Sequence, residues 1–209
     1  MLRNLIFYLL ILSATFLCGC AQVPLDINRF DPVLDRKGIT TLTISNETFA
    51  EYDTPDFRLT TAIFEFNGVI ANSLEIRNNG DTDLPVSDYS FSLADGRDLK
   101  PIKMLSRQDL IATRTKLAGG GGSSNIQDQL IQATVDTILN SVNTPTKNKL
   151  INIVDEGIKN YFSFRPVYAQ GKRSGVVCFL PDFQLEYPLT LTVKVRGETA
   201  RFKFNPRKK

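Results

Sequence analysis

Ser87-Asp88-Tyr89-Ser90-Phe91-Ser92-Leu93-Ala94-Asp95-Gly96-Arg97-Asp98-Leu99-Lys100-Pro101-Ile102 decides the fold class. Ser87, Tyr89, Phe91 and Leu93 alternate with Asp88, Ser90 and Ser92. A period of two puts successive side chains on opposite faces, so the stretch reads as a strand with one apolar face. Asp95-Gly96 tolerates positive φ and predicts a two-residue hairpin turn, with Arg97 to Ile102 returning as the partner strand. Such a pair must lay its apolar face on a second layer, which makes the chain mainly β.

The same pattern spreads in both directions. Upstream, Asn78-Asn79-Gly80-Asp81-Thr82-Asp83 is a turn cluster. It follows a strand in which Leu74 and Ile76 alternate with Glu75 and Arg77. Asn67-Gly68 marks a turn before that strand, and Leu59 to Phe66 is apolar on both faces near its end, as suits a central strand. Asn46 to Asp56 reads as a loop, and Ile39 opens the earliest strand. Downstream, three closing strands are expected at Gly175 to Leu180, Leu189 to Val195 and Thr199 to Phe204.

Between these strand groups the period changes. Gly119 to Gly122 is a flexible run, and Ser124 opens a capping box with Gln127. Ile126, Leu130, Thr134, Ile138 and Val142 then fall on one helical face. Thr144-Pro145 starts a second helix, with Leu150, Val154, Ile158 and Phe162 as its stripe. A helical hairpin inserted at about residues 119–162 is the expectation.

The N-terminus carries a different message. Arg3 precedes an apolar run from Leu5 to Leu17, which at 1.5 Å per residue spans roughly 20 Å, short of the ~30 Å hydrocarbon core. That length fits a signal peptide over residues 1–19 better than a membrane-spanning helix. Leu17-Cys18-Gly19-Cys20 resembles the lipobox of bacterial lipoproteins. The resemblance implies cleavage before Cys20, a diacylglyceryl thioether on its sulfur and an acylated amine. Ala21, where Asp would favour inner-membrane retention, implies the outer membrane. Two or more acyl chains anchor stably, so the membrane partner is engaged through the N-terminal lipid. Residues 20–38 are polar, contain Pro24 and Pro32, and read as a tether reaching at most about 60 Å.

A second resemblance covers about half of the mature chain. A strand ending in Asn-x-Gly-Asp (Asn78 to Asp81), an aromatic strand and an Asp-Gly turn are followed by Gly171, Gly175 and Phe179. This resembles immunoglobulin-like domains of bacterial surface lipoproteins. It implies an immunoglobulin-like antiparallel β-sandwich over residues 39–206, with the two-helix hairpin inserted.

Composition narrows the chemistry. The chain has 25 basic and 22 acidic residues. The signal removes Arg3 and no acid, leaving a balance of about +2, too small to point to nucleic acid. There is no histidine, so Ser-His-Asp catalysis and histidine metal sites are excluded. Cys178, alone once Cys18 leaves with the signal and Cys20 is consumed by lipid, sits in the apolar run Val176-Val177-Cys178-Phe179-Leu180 and reads as a buried structural thiol. The glycine run lacks the Lys-Ser/Thr of a phosphate loop. No cofactor fingerprint and no enzyme emerge.

Two clusters remain. Asp81, Asp83 and Asp88 are a weak oxygen set for calcium, for which turn chemistry is the competing explanation. Lys194, Arg196, Arg201 and Lys203 are expected on one outward face of the last hairpin. They would form an anionic-partner stripe for lipid head groups or wall polymer, or serve as edge protection. The leading expectation is a non-enzymatic interaction module of the cell envelope, and the alternative is an accessory assembly subunit of a secretion or pilus-like complex.

Overall fold

The computed structural model describes residues 27–35, 38–44, 47–66, 68–96, 98–119 and 144–207. The signal, Cys20 and the first expected helix (Ser124 to Val142) lie outside them. The strands are β1 (Asn28–Val33), β2 (Ile39–Ile44), β3 (Glu47–Asp53), β4 (Phe57–Phe66), β5 (Val69–Asn78), β6 (Tyr89–Asp95), β7 (Lys100–Leu105), β8 (Lys172–Leu180), β9 (Leu189–Val195) and β10 (Glu198–Pro206). Helices α1 (Arg107–Leu117) and α2 (Thr144–Lys159) lie between β7 and β8.

The strands pair in the order β1-β10-β9-β6-β7-β8-β5-β4, and β4 pairs again with β1. Eight antiparallel strands therefore close into a barrel. This corrects the expected immunoglobulin-like sandwich. Alternation shows that one face of each strand is buried, and a sandwich and a barrel both satisfy it. What separates them is the pairing of the terminal strands. Here the closing strand is β1, which pairs Phe30 to Val33 with β10 and Asn28-Arg29 with Glu65-Phe64 of β4. β1 lies in the stretch read as a tether, so the folded domain begins at Asn28 rather than at residue 39. Phe30, isolated among polar residues, carries the closure by burying its ring in the core.

Three further expectations change. Asn46 to Asp56, read as a loop, contains β3, which pairs with β2 and with the first half of β4. Asp95 pairs with Lys100, so the β6–β7 turn has four residues rather than two, with Gly96 and Leu99 both at positive φ. Finally, α2 ends at Lys159, and Phe162 leaves its stripe for the barrel interior.

The inward face of every barrel strand feeds one core, with Phe30, Phe91, Phe179, Phe202 and Phe204 among its largest members. Within it, Asn72 Nδ2 donates to Thr61 Oγ1 at 2.6 Å and to the Ala62 carbonyl at 3.1 Å. A one-residue slip of β4 on β5 would turn one of this pair out of the core and break the bond, so it helps hold the register. β7 is short and pairs with β6 only from Leu93 to Asp95. The rest of the seam between β6 and β8 is filled by residues 161–167. The Phe162 amide donates to the Val176 carbonyl at 2.9 Å, and the Phe162 ring meets Phe91 edge-on at 5.1 Å between centroids. The Tyr89 hydroxyl donates to the Arg165 carbonyl at 2.7 Å. Gly175 explains itself here: a Cβ on it would lie 2.6 Å from Phe162 Cα.

Both helices cover the outside of β5, β7 and β8. α1 starts at a capping box, in which the Asp109 amide donates to Ser106 Oγ at 3.1 Å and the Ser106 amide to Asp109 Oδ2 at 2.7 Å. Leu110 faces Leu105, Cys178 and Leu180 of the barrel wall, and Leu117 meets Leu150 and Val154 of α2. Arg114 and Asp155 join the helices at 3.0 Å. No helix among the described residues is long and apolar enough to cross a membrane.

Candidate functional site

By strand direction the barrel has two ends. One end holds Asn28, the β6–β7 turn, residues 181–188 and Pro206; the far end holds residues 78–88, 161–171 and the β9–β10 turn.

The acidic cluster sits at the far end, where Asp81 and Asp83 tie down residues 169–170 and Asp88 bonds its sequence neighbour. Asp83 Oδ1 accepts from the Ala169 amide at 2.9 Å, Asp81 Oδ1 from Gln170 Nε2 at 3.2 Å, and Asp88 Oδ1 from Ser87 Oγ at 2.9 Å. The three are not gathered as a ligand set, and no metal-holding group of three such side chains occurs among the described residues. Asn78 is the organiser: it is buried, and its Nδ2 donates to the carbonyls of Thr82, Val167 and Tyr168 at 2.8, 3.1 and 3.2 Å. Turn chemistry accounts for the whole Asn-x-Gly-Asp motif.

The expected basic stripe does not form as a unit. Arg196 leaves the strand for the β9–β10 turn, where Arg196 and Gly197 both take positive φ, as a two-residue turn of this hand requires. Its guanidinium donates to the Thr82 carbonyl at 2.8 Å and to Thr82 Oγ1 at 3.1 Å, binding the far-end loop. Lys203 pairs with Asp35. Lys194 and Arg201 remain outward and exposed. An open hollow of about 450 Å³ beside Lys194 is bordered by Asp88, Ser87 and Ser90, so its charge is mixed.

Cys178 lies on the outer face of β8 beneath the helices, 3% exposed. Burial pushes its thiol up to about 11, which keeps it protonated and inert at neutral pH. Beside it, Leu110, Val154 and Leu180 line an apolar cavity of about 30 Å³.

The feature that sequence reasoning undervalued is β2. It pairs with β3 from Ile39 to Ile44, and no other described strand pairs with it. Thr40 to Ile44 are all exposed, with Leu42 at 41% and Ile44 at 50%. The edge Ile-Thr-Thr-Leu-Thr-Ile carries no charge, no proline and no bulge, the devices that ordinarily blunt an open edge. The missing lysine was the available signal. A scan against protein-family models finds no matching family, and a search of curated proteins finds no significant match.

Proposed function

We propose that this chain is a lipid-anchored protein of the bacterial cell envelope, held at the outer membrane through Cys20. In this reading its barrel is a non-enzymatic interaction module that takes an extended segment of an envelope protein along β2. The open, uncharged edge of β2 carries the reading. Main-chain amides and carbonyls on such an edge pair with an added strand, and alternate side chains grip it from either face. Leu42 and Ile44 share one face with Phe49, and Thr41 and Thr43 share the other with Ala50 and Thr48. A partner strand rich in β-branched and apolar residues fits both. The barrel interior supports the same view, because its aromatic side chains fill it and leave the outer surface to do the work.

The test is a photo-crosslinking residue placed at Thr43 in the full-length protein in native membranes, with Lys194 as control position. Adducts with an envelope protein from Thr43 and none from Lys194 are expected. Equal adducts from both, or none from Thr43, would overturn the strand-addition reading. A stoichiometric adduct within a large membrane complex would favour the assembly subunit.

A further inference from the structure

We infer that the Asn28 end of the barrel, its anchor end in this reading, is itself a membrane contact: its apolar rim, centred on Leu99 and Tyr187, seats in the lipid head-group layer. This rests on the lipid-anchor reading of Cys20.

The first support is reach. Asn28 follows Cys20 by eight residues, which extended span at most about 28 Å. β4 has ten residues and is roughly 33 Å long; a tilt of about 40° makes the barrel wall some 25 Å tall. Turning the barrel over would force the linker to run taut along nearly that whole height. With the anchor end down, the same linker is slack. The anchor end also gathers the chain's first closing contacts, because Asn28 Nδ2 donates to Glu65 Oε2 at 3.3 Å on β4.

The second support is what that end displays. Leu99 is 51% exposed at φ +53°, a backbone region that a branched side chain rarely takes. Tyr187 is 42% exposed and Ile27 38%. The loops that carry Leu99 and Tyr187 are tied together rather than loose. The Gly96 amide donates to the Glu186 carbonyl at 2.9 Å, and the Glu186 amide to Asp95 Oδ2 at 3.1 Å. Tyr187 packs at an angle on buried Phe30, 5.7 Å between centroids, so its ring is braced although the residue stays partly exposed. Lys100 lies over the Phe183 ring at 3.5 Å. An apolar body with a polar tip is the chemistry that sits at a head-group boundary.

Charge does not drive the seating. Among the described residues Glu65, Asp98, Asp182 and Glu186 stand at the same end as Arg29, Lys100 and Arg207, so charges of both signs are mixed there. Apolar insertion, rather than attraction to anionic lipid, is therefore the holding force, and salt should not release it.

The chain has no tryptophan, so one added tryptophan reports a single place. The lipidated full-length protein, as Leu99→Trp, Tyr187→Trp or Tyr168→Trp, is reconstituted into phosphatidylethanolamine and phosphatidylglycerol vesicles with brominated acyl chains. Tyr168 lies at the far end, 68% exposed. The emission of Leu99→Trp and Tyr187→Trp should be largely quenched, at low and high salt alike, and that of Tyr168→Trp should not. Leu99→Trp and Tyr187→Trp as bright as Tyr168→Trp, or quenching lost in high salt, would overturn the seating. A fatty-acid label on Cys20 is read in the same samples. Label without quenching removes the seating and leaves the anchor; quenching without label does the reverse.

Discussion

β8 and β2 are both strands of this sheet, and they meet opposite fates. From Val177 to Leu180, β8 is buried on both faces. Val177 and Phe179 enter the barrel core, and Cys178 and Leu180 lie under α1 and α2. From Thr40 to Ile44, β2 is exposed on both. Their sequences differ as their surroundings do: Val-Val-Cys-Phe-Leu is a continuous apolar run, and Ile-Thr-Thr-Leu-Thr-Ile is a mixture that neither face can claim. The difference teaches that β8 is held by what it packs against, whereas β2 is held by one hairpin neighbour and offers its other edge. Stability should reside on the β8 side and recognition on the β2 side.

The comparison is tested hardest at the seam beside β8. Phe162→Ala removes a fully buried ring packed on three aromatic partners, Tyr89, Phe91 and Phe164, and should cost about 3–5 kcal/mol, read as a lowered denaturant midpoint. A loss under about 1 kcal/mol would mean that residues 161–167 do not hold the seam between β6 and β8. Gly175→Ala places a Cβ against the Phe162 backbone, which cannot yield as a side-chain tip does, and should cost about 2–3 kcal/mol.

On the outer face of β8 the effects shrink. Cys178→Ala should cost about 1 kcal/mol, since it enlarges an existing cavity by one sulfur. It should also alter the alkaline limb of stability. The folded thiol titrates near 11, above its ordinary value, so its contribution is complete below the unfolded pKa and is lost as pH rises toward 11. Burial also raises the Tyr89 and Tyr161 hydroxyls, so both proteins lose stability in alkali. The wild type should lose more than Cys178→Ala between about pH 9 and 11, and parallel curves would place the thiol in water.

The smallest effect on stability belongs to β2, where the effect on partnership should be largest. Leu42→Lys changes an exposed residue and should move stability by no more than about 0.5 kcal/mol. A lysine on the open edge should nonetheless abolish the Thr43 crosslink, because burying its charge against an added strand is costly. An unchanged crosslink would show that the partner does not lie along the strand.

By itself the sequence determined the strand class and most strand positions, because burying one face forces a period of two, as in Tyr89, Phe91 and Leu93 or Leu189 to Val195. It also determined the buried thiol, through the continuous apolar run around Cys178. Two elements were legible only in hindsight: α1, through the Ser106–Asp109 capping box, and β3, masked by the turn residues around Pro55. The tertiary structure alone decided closure. β1 carries one conspicuous apolar residue, Phe30, and becomes a strand because β10 and β4 each offer it an unpaired edge. It likewise decided the fate of the charged residues. Arg196 binds a far-end loop and Lys203 meets Asp35 because of where loops distant in sequence come to rest, and the Asp81, Asp83 and Asp88 carboxylates are spent on neighbours that strand alternation cannot name. Periodicity is a local consequence of burial, and pairing depends on which edges the rest of the chain leaves open.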